Sequence, residues 1–263
     1  MVSWTNFDEL ASVKKLEAQA KVSLPEVMAG EAGAERVAKY SVPMSGGLSY
    51  NFASKQVDDA ILAALGEFAE EAQLVEKYKA LYNGAMINTG EKRLVLHQLT
   101  RGQLGDAVIK DGVDKREFYV TQQKRAAEFA EKVHAGEIVN EAGEKFTTAV
   151  QIGIGGSDLG PRAIYLSLET WARNNGTLKM NARFISNVDP DDAVSVLDTI
   201  DLAHSIFVLV SKSGTTLETL TNESFVKDAL KKAGLDPAKH MVAVTSETSP
   251  LAKSADYLDA FFR

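Results

Sequence analysis

Cysteine is absent from these 263 residues, which excludes disulfides, thiolate nucleophiles and cysteine-based zinc sites. That absence suits a reducing compartment, and the expected location is cytoplasmic. Histidine is scarce: His97, His134, His204 and His240 have no pairwise spacing that suggests a metal site. No apolar run approaches the roughly 18 residues a membrane helix needs. The N-terminal stretch carries charges throughout and no apolar core, so no signal peptide is expected. Positive charge is in deficit, with 29 Lys and Arg against 36 Asp and Glu and a net charge of −7. Neither a nucleic-acid partner nor an anionic membrane surface fits that balance, although one basic pocket is compatible with it. Low-complexity linkers and repeats of solenoid period are missing too.

What is present is an ordinary globular composition, 45% hydrophobic and 25% charged, enough for one large domain or two ordinary ones. The first part reads as helical. Phe7, Leu10, Val13 and Leu16 predict an amphipathic helix over Thr5–Val22, broken by Pro25, Gly30 and Gly33. Val57–Tyr82 carries a long helical pattern, with Gly66 tolerated inside it and Asn83-Gly84 closing it. A further helix is predicted over Lys115–Ala135.

From about Phe146 the texture changes. Apolar runs at Thr147–Ile154, Ala182–Ser186, Ser205–Val210, Met241–Val244 and Tyr257–Phe262 alternate with helical stretches at Leu159–Arg173, Pro190–Thr199, Thr216–Ala233 and Pro250–Ser254. Pro161, Pro190 and Pro250 are expected at first helical positions. This βαβ order predicts an α/β fold with a parallel sheet covered on both faces, and ligands in such sheets bind at the C-terminal strand ends.

Two motifs fall at those ends. Ser211–Asn222 (SKSGTTLETLTN) follows the run Ser205–Val210, which reads as a buried strand. Thr215-Thr216-Leu217-Glu218 has the spacing of a capping box, so a helix is expected to start there. A helix N-terminus offers free N–H groups and the positive end of a dipole, which suits a phosphate. Ser211, Ser213, Thr215 and Thr216 can donate to its oxygens, and Gly214 lets the backbone approach. Hydroxyl residues also cap helices without binding anything, but several donors plus a lysine exceed what capping requires, and an anion site is favoured. Lys212 either points at the phosphate or extends into water.

Ile152–Pro161 (IGIGGSDLGP) has Gly153-x-Gly155-Gly156, but a dinucleotide fingerprint would need glycine where Asp158 stands. Two readings then stay open. The turn brings backbone N–H groups to a sugar hydroxyl or phosphate, or its glycines serve only close strand–helix packing. Elsewhere the plain readings prevail. His97 and Arg101, four apart, would share a helix face, with a structural histidine preferred. Glu218 has the chemistry of a general base, but a capping role explains it. Asp189–Asp192 reads as helix-start chemistry, and Trp171 reads as core.

Taken together, these motifs resemble the glucose-6-phosphate isomerase family. Besides Ile152–Pro161 and Ser211–Asn222, Arg93-Leu94-Val95-Leu96-His97 fits the family's R-x-V-L-H pattern within Asn88–His97, and Asn187-Val188-Asp189 fits its SN-[IV]-D step. The match is good from Asn88 onward and weak before it. The resemblance implies a helical arm over 1–114 and, over 115–263, a first sugar-isomerase (SIS) domain with a five-stranded parallel sheet sandwiched by helices. It places sugar-phosphate contacts on Gly156, Ser157, Ser211, Lys212, Ser213, Gly214, Thr215 and Thr216. Two positions depart from it: many members carry phenylalanine in place of Gly214 and glutamine in place of Leu217.

The implied reaction interconverts glucose 6-phosphate and fructose 6-phosphate through a cis-enediol, with no metal or redox cofactor. Family members are homodimers. Their G-G-R arginine, glutamate base, ring-opening histidine and late lysine lie in segments not found in this sequence. The expectation is therefore an N-terminal fragment with no catalytic residue of its own, which binds the phosphate weakly and does not catalyse. Its arm would normally pack on a second SIS domain. The alternatives are a non-catalytic SIS module that senses a sugar phosphate, another sugar-phosphate isomerase or a transaldolase-fused relative, and a nucleotide-binding dehydrogenase.

Overall fold

A computed structural model describes residues 2–90, 92, 94–101, 106–253 and 255–262. The chain divides into two compact units, Met1–Val108 and Ile109–Arg263.

The first unit is mainly helical. The single helix expected over Thr5–Val22 is a 3-10 turn, Phe7–Glu9, and a helix, Ala11–Glu17. Leu10 between them is extended (φ −78°, ψ 134°), which interrupts the helical hydrogen bonding. The long pattern is likewise two helices, Asp59–Glu71 and Leu74–Tyr82, because Gln73 takes a left-handed conformation at φ 53°. Gly66 stays inside the first of them, and Asn83 with Gly84 ends the second, as expected. Arg36 on the helix Gly30–Lys39 is buried. Its guanidinium donates to the carbonyls of Ala53 (2.8 Å), Lys55 (2.9 Å) and Val57 (2.7 Å), which satisfies a charge that burial would otherwise penalise. His97 lies in a 3-10 turn, His97–Thr100, followed by Arg101. With about three residues per turn, that geometry does not stack residues four apart, and His97 is exposed rather than structural.

The second unit carries the parallel sheet. A short antiparallel pair, Ile109–Lys110 with Val113–Asp114, leads into helix α1, Lys115–Ala135. Asp114 caps α1 by accepting the N–H of Arg116 at 2.8 Å, and Gly136 ends it at φ 81°. The strands are β1 (Thr148–Ile152), β2 (Asn181–Ile185), β3 (Ser205–Val210), β4 (Met241–Thr245) and β5 (Ala260–Phe262). Helices α2 (Gly156–Asn174), α3 (Pro190–Leu197) and α4 (Leu217–Lys232) connect the first four. All five strands are parallel, in the order β2-β1-β3-β4-β5.

Strand alternation builds a core on each face, as a parallel sheet requires. Val150, Ile152, Phe207, Leu209, Met241 and Ala243 meet Ala193 and Leu197 of α3 and Val226 and Leu230 of α4. Ile206, Val242 and Phe261 meet Val133 of α1 on the other face. Removing one such side chain, as in Leu209→Ala, costs about 2–5 kcal/mol in cores of this kind. Trp171 is not part of either core. It is 62% exposed on α2, beside exposed Ile164 and Leu168. No described helix is long and apolar enough to cross a membrane.

Candidate functional site: two helix starts on adjacent strands

The two glycine- and hydroxyl-rich motifs emerge side by side. β1 and β3 are neighbours, with Ile152 opposite Leu209. The chain leaves β1 toward β2 on one side and leaves β3 toward β4 on the other. The crevice between β1 and β3 is therefore the switch point of the sheet, the place where doubly wound folds hold ligands.

In the first loop Gly153 has no room for a side chain. A Cβ there would stand 2.9 Å from the Ser157 carbonyl oxygen. Gly155 takes φ 56° and ψ −120°, which a side chain would strain, and it forms the N-cap of α2 without any side-chain bond. The helix starts at Gly156, three residues earlier than periodicity predicts, so Pro161 sits inside it rather than at its first position. Proline has no N–H for the carbonyl four residues back, which is that of Ser157. Gln151 on β1 supplies the missing donor, its Nε2 reaching the Ser157 oxygen at 2.6 Å.

Gly156 is exposed and Ser157 half-buried in the first turn, with the Ser157 N–H donating to Ile154 at 3.1 Å. Asp158, noticed in the sequence only for breaking a fingerprint, is buried and pairs with Arg162 at 3.0 Å. Arg162 also donates to the Ser186 hydroxyl at 2.8 Å, which braces this loop against the end of β2.

The second loop is a cluster of hydroxyls. Ser211 is buried, and its Oγ accepts the Gly214 N–H at 3.2 Å and donates to Thr216 Oγ1 at 3.4 Å. Ser213 Oγ accepts the Thr215 N–H at 3.2 Å and lies 3.5 Å from Thr216 Oγ1. Gly214 has φ 66°, and Ser249, Pro250 and Leu251 fill the space where its side chain would be. Lys212 and Thr215 are exposed on the turn.

The capping box expected from Thr215 to Glu218 does not form. Thr216 is the N-cap, it makes no side-chain cap bond, and α4 begins at Leu217. The Thr216 hydroxyl is drawn to Ser211 and Ser213 instead, and Glu218 is left exposed in the first turn. The first bond of α4 is Leu220 N–H to Thr216 O at 3.0 Å.

Among the described residues the four α-helices of this unit thus fall into two pairs. α1 and α3 are capped by aspartates: Asp114 accepts from Arg116 and Glu117, and Asp189 accepts from Asp191 at 2.9 Å. Pro190 takes the first position of α3, and the Asp189–Asp192 cluster is helix-start chemistry as expected, with Asp192 also accepting from Ser186 and Asn187. α2 and α4 begin on Gly155 and Thr216 with no side-chain cap. Those two follow the adjacent strands β1 and β3, so two positive dipole ends without side-chain caps share one crevice.

Asn222, the last residue of the second motif, is fully buried, and its Nδ2 donates to the Asn187 carbonyl at 3.0 Å, joining two of the recognised segments. Nothing in sequence pattern announces that link. The Gln151 contact follows only once Pro161 is found inside α2, where it strips a donor from Ser157. Of the segment Asn88–His97, Glu91 and Arg93 lie outside the described residues. Among the described residues no group of acidic, His or Cys side chains could hold a metal ion.

A family model described as phosphoglucose isomerase matches residues 51–255. A glucose-6-phosphate isomerase of Treponema denticola is 53% identical over 99% of this chain and 50% of its own length. That of Borreliella afzelii is 41% identical over 100% of this chain and 49% of its own. Among solved structures, a glucose-6-phosphate isomerase from Chlamydia trachomatis superposes with a TM-score of 0.80 at 35% identity, covering 98% of this chain and 48% of that one. The likeness therefore includes the first residues, where motif comparison finds it weak. The chain spans about half the length of the curated relatives it matches.

Proposed function

We propose a function from one premise: this chain belongs to the phosphoglucose isomerase family. It takes part in the interconversion of glucose 6-phosphate and fructose 6-phosphate and supplies the cradle for their phosphate. The observation that carries this reading is the pair of uncapped helix starts, at Gly155 and Thr216, on adjacent strands. Gly156 and Ser157 serve from the first loop, and Ser211, Lys212, Ser213, Gly214, Thr215 and Thr216 from the second.

The reaction moves a proton between C2 and C1 of the open-chain sugar through a cis-enediol. It is an internal redox change, so its electrons balance without an external cofactor. It needs a carboxylate base and a cation facing the developing oxyanion. The phosphate supplies binding energy remote from those carbons. The residues assigned here serve that remote binding alone. On this reading the 263-residue chain binds sugar phosphates and does not turn them over, and it belongs to a homodimer.

The test is ligand-dependent thermal stability together with an isomerase assay. Glucose 6-phosphate and fructose 6-phosphate raise the melting temperature in proportion to their binding, and NAD does not. Isomerase turnover by the purified chain would contradict the division of labour. Stabilisation by NAD and not by the sugar phosphates would contradict the site.

A further inference from the structure

The turn that carries Ser211–Thr216 does not hold its own shape tightly, since its hydroxyl contacts run from 3.2 to 3.5 Å. It is held from outside, by the end of β4 and the connection from β4 to β5. Thr245 Oγ1 donates to the Ser211 carbonyl at 2.7 Å. The Ser246 N–H donates to the Lys212 carbonyl at 3.2 Å, and the Ser246 hydroxyl donates to the same oxygen. Ser249 is buried where a side chain on residue 214 would stand, and Leu251 is anchored in the core beneath α4. Further along, the Tyr257 hydroxyl donates to Glu223, a buried carboxylate on the second turn of α4. Lys227 pairs with Glu223 at 2.8 Å and with Asp256 at 2.9 Å.

The connection is therefore fastened at two places, to Lys212 within the turn and to α4 after it. Glu223 is an expensive residue to bury without partners, and Tyr257 and Lys227 both engage its Oε1. Burial, reinforced by that carboxylate, holds the Tyr257 phenol far above the ordinary tyrosine range, so it stays a donor.

We propose that Tyr257 is a positioning residue for sugar-phosphate binding: by holding the β4–β5 connection on Glu223, it keeps Ser249 against Gly214 and fixes the turn whose amides and hydroxyls face the phosphate. The proposal rests on the reading of Ser211–Thr216 as the phosphate site.

The experiment compares wild type, Tyr257→Phe, Glu223→Gln and Ser246→Ala. Calorimetry gives the Kd for glucose 6-phosphate and inorganic phosphate well below the melting transition, and the melting temperature is recorded alongside. Tyr257→Phe raises both Kd values about fivefold, the equivalent of one hydrogen bond. Glu223→Gln keeps an acceptor for Tyr257 and leaves Lys227 to Asp256, so it lowers the melting temperature while Kd stays within about twofold. Ser246→Ala releases the other fastening at a half-exposed position and weakens binding as Tyr257→Phe does, which keeps the test decisive if the tyrosine variant does not fold.

Wild-type binding with unchanged Kd in Tyr257→Phe, or in Ser246→Ala where the tyrosine variant is unfolded, overturns the proposal and leaves the phosphate site standing. Equal loss of affinity in Tyr257→Phe and Glu223→Gln overturns it in favour of general stabilisation. A wild-type chain that binds neither ligand overturns the phosphate reading and this proposal with it.

Discussion

Helices α1 and α3 start on aspartates whose side chains accept their own first-turn amides, whereas α2 and α4 start on Gly155 and Thr216 with no side-chain cap. A side-chain cap is worth about 1 kcal/mol and is easily provided by one residue. The two helices that forgo it are the two that follow the adjacent central strands β1 and β3. In α4 a threonine stands at the cap position and still turns its hydroxyl to Ser211 and Ser213. The lesson is that side-chain capping is forgone at one crevice, where two dipole ends suit an external anion.

Filling an open start breaks the comparison most severely. Thr216→Asp gives α4 the same cap as α1 and α3. It is expected to raise stability by about 1 kcal/mol while weakening phosphate binding by about a hundredfold, through a fixed negative charge at the site. Denaturant midpoints and calorimetric Kd values check the two halves, and a variant that binds phosphate as well as wild type removes α4 from the site. The reverse change, Asp189→Ala on α3, is expected to cost about 1–2 kcal/mol and leave phosphate affinity unchanged.

Much of this arrangement is legible in the sequence, and the rest fails for local reasons. β3 has the predicted bounds, Ser205–Val210, because its apolar run is uninterrupted. α1 has the predicted bounds, Lys115–Ala135, because Asp114 and Gly136 punctuate it. α2 is misplaced because its true start carries no cap residue, and Pro161 looks like a beginning when it is an interior position. Thr215 and Thr216 offer two adjacent caps, and only contacts with Ser211 and Ser213 decide between them. The split at Gln73 has no sequence signal, since glutamine does not mark a left-handed residue. Trp171 was expected in the core from its chemistry, yet it lies on an exposed face of α2.

A smaller effect sharpens the picture of α2. Gln151→Leu leaves the Ser157 carbonyl without its donor and is expected to cost about 1–3 kcal/mol. Pro161→Ala in the same chain restores an N–H four residues on and recovers part of the loss. A double-mutant cycle on unfolding free energy measures the coupling, and strict additivity would show that Gln151 does not replace the proline's missing donor.

The smallest effect concerns the opposite end of the sheet, where polar groups satisfy one another. His204, just before β3, is held by Asp201 at 2.8 Å and Glu144 at 2.9 Å. The Asp201 hydrogen bond first, and Glu144 after it, raise the His204 pKa above its ordinary value of 6.5. A raised folded-state pKa gives stability that is complete below that value and is lost as pH rises through the folded pKa. Asp201, depressed mainly by His204, works in the other direction and loses its contribution as pH falls through its own lowered pKa. Urea midpoints across the neutral range should decline modestly in wild type and flatten in His204→Gln, with phosphate affinity the same in both. A His204→Gln profile as steep as wild type would place the titration elsewhere.

The most direct test of the shared crevice is a titration of the isotope-labelled chain with glucose 6-phosphate, followed amide by amide in nuclear magnetic resonance spectra. The account predicts that Gly156 and Leu217 shift together along one binding curve, while Arg116 and Asp191 at the capped starts stay still. Shifts confined to one of the two loops, or centred on the capped helices, would contradict it.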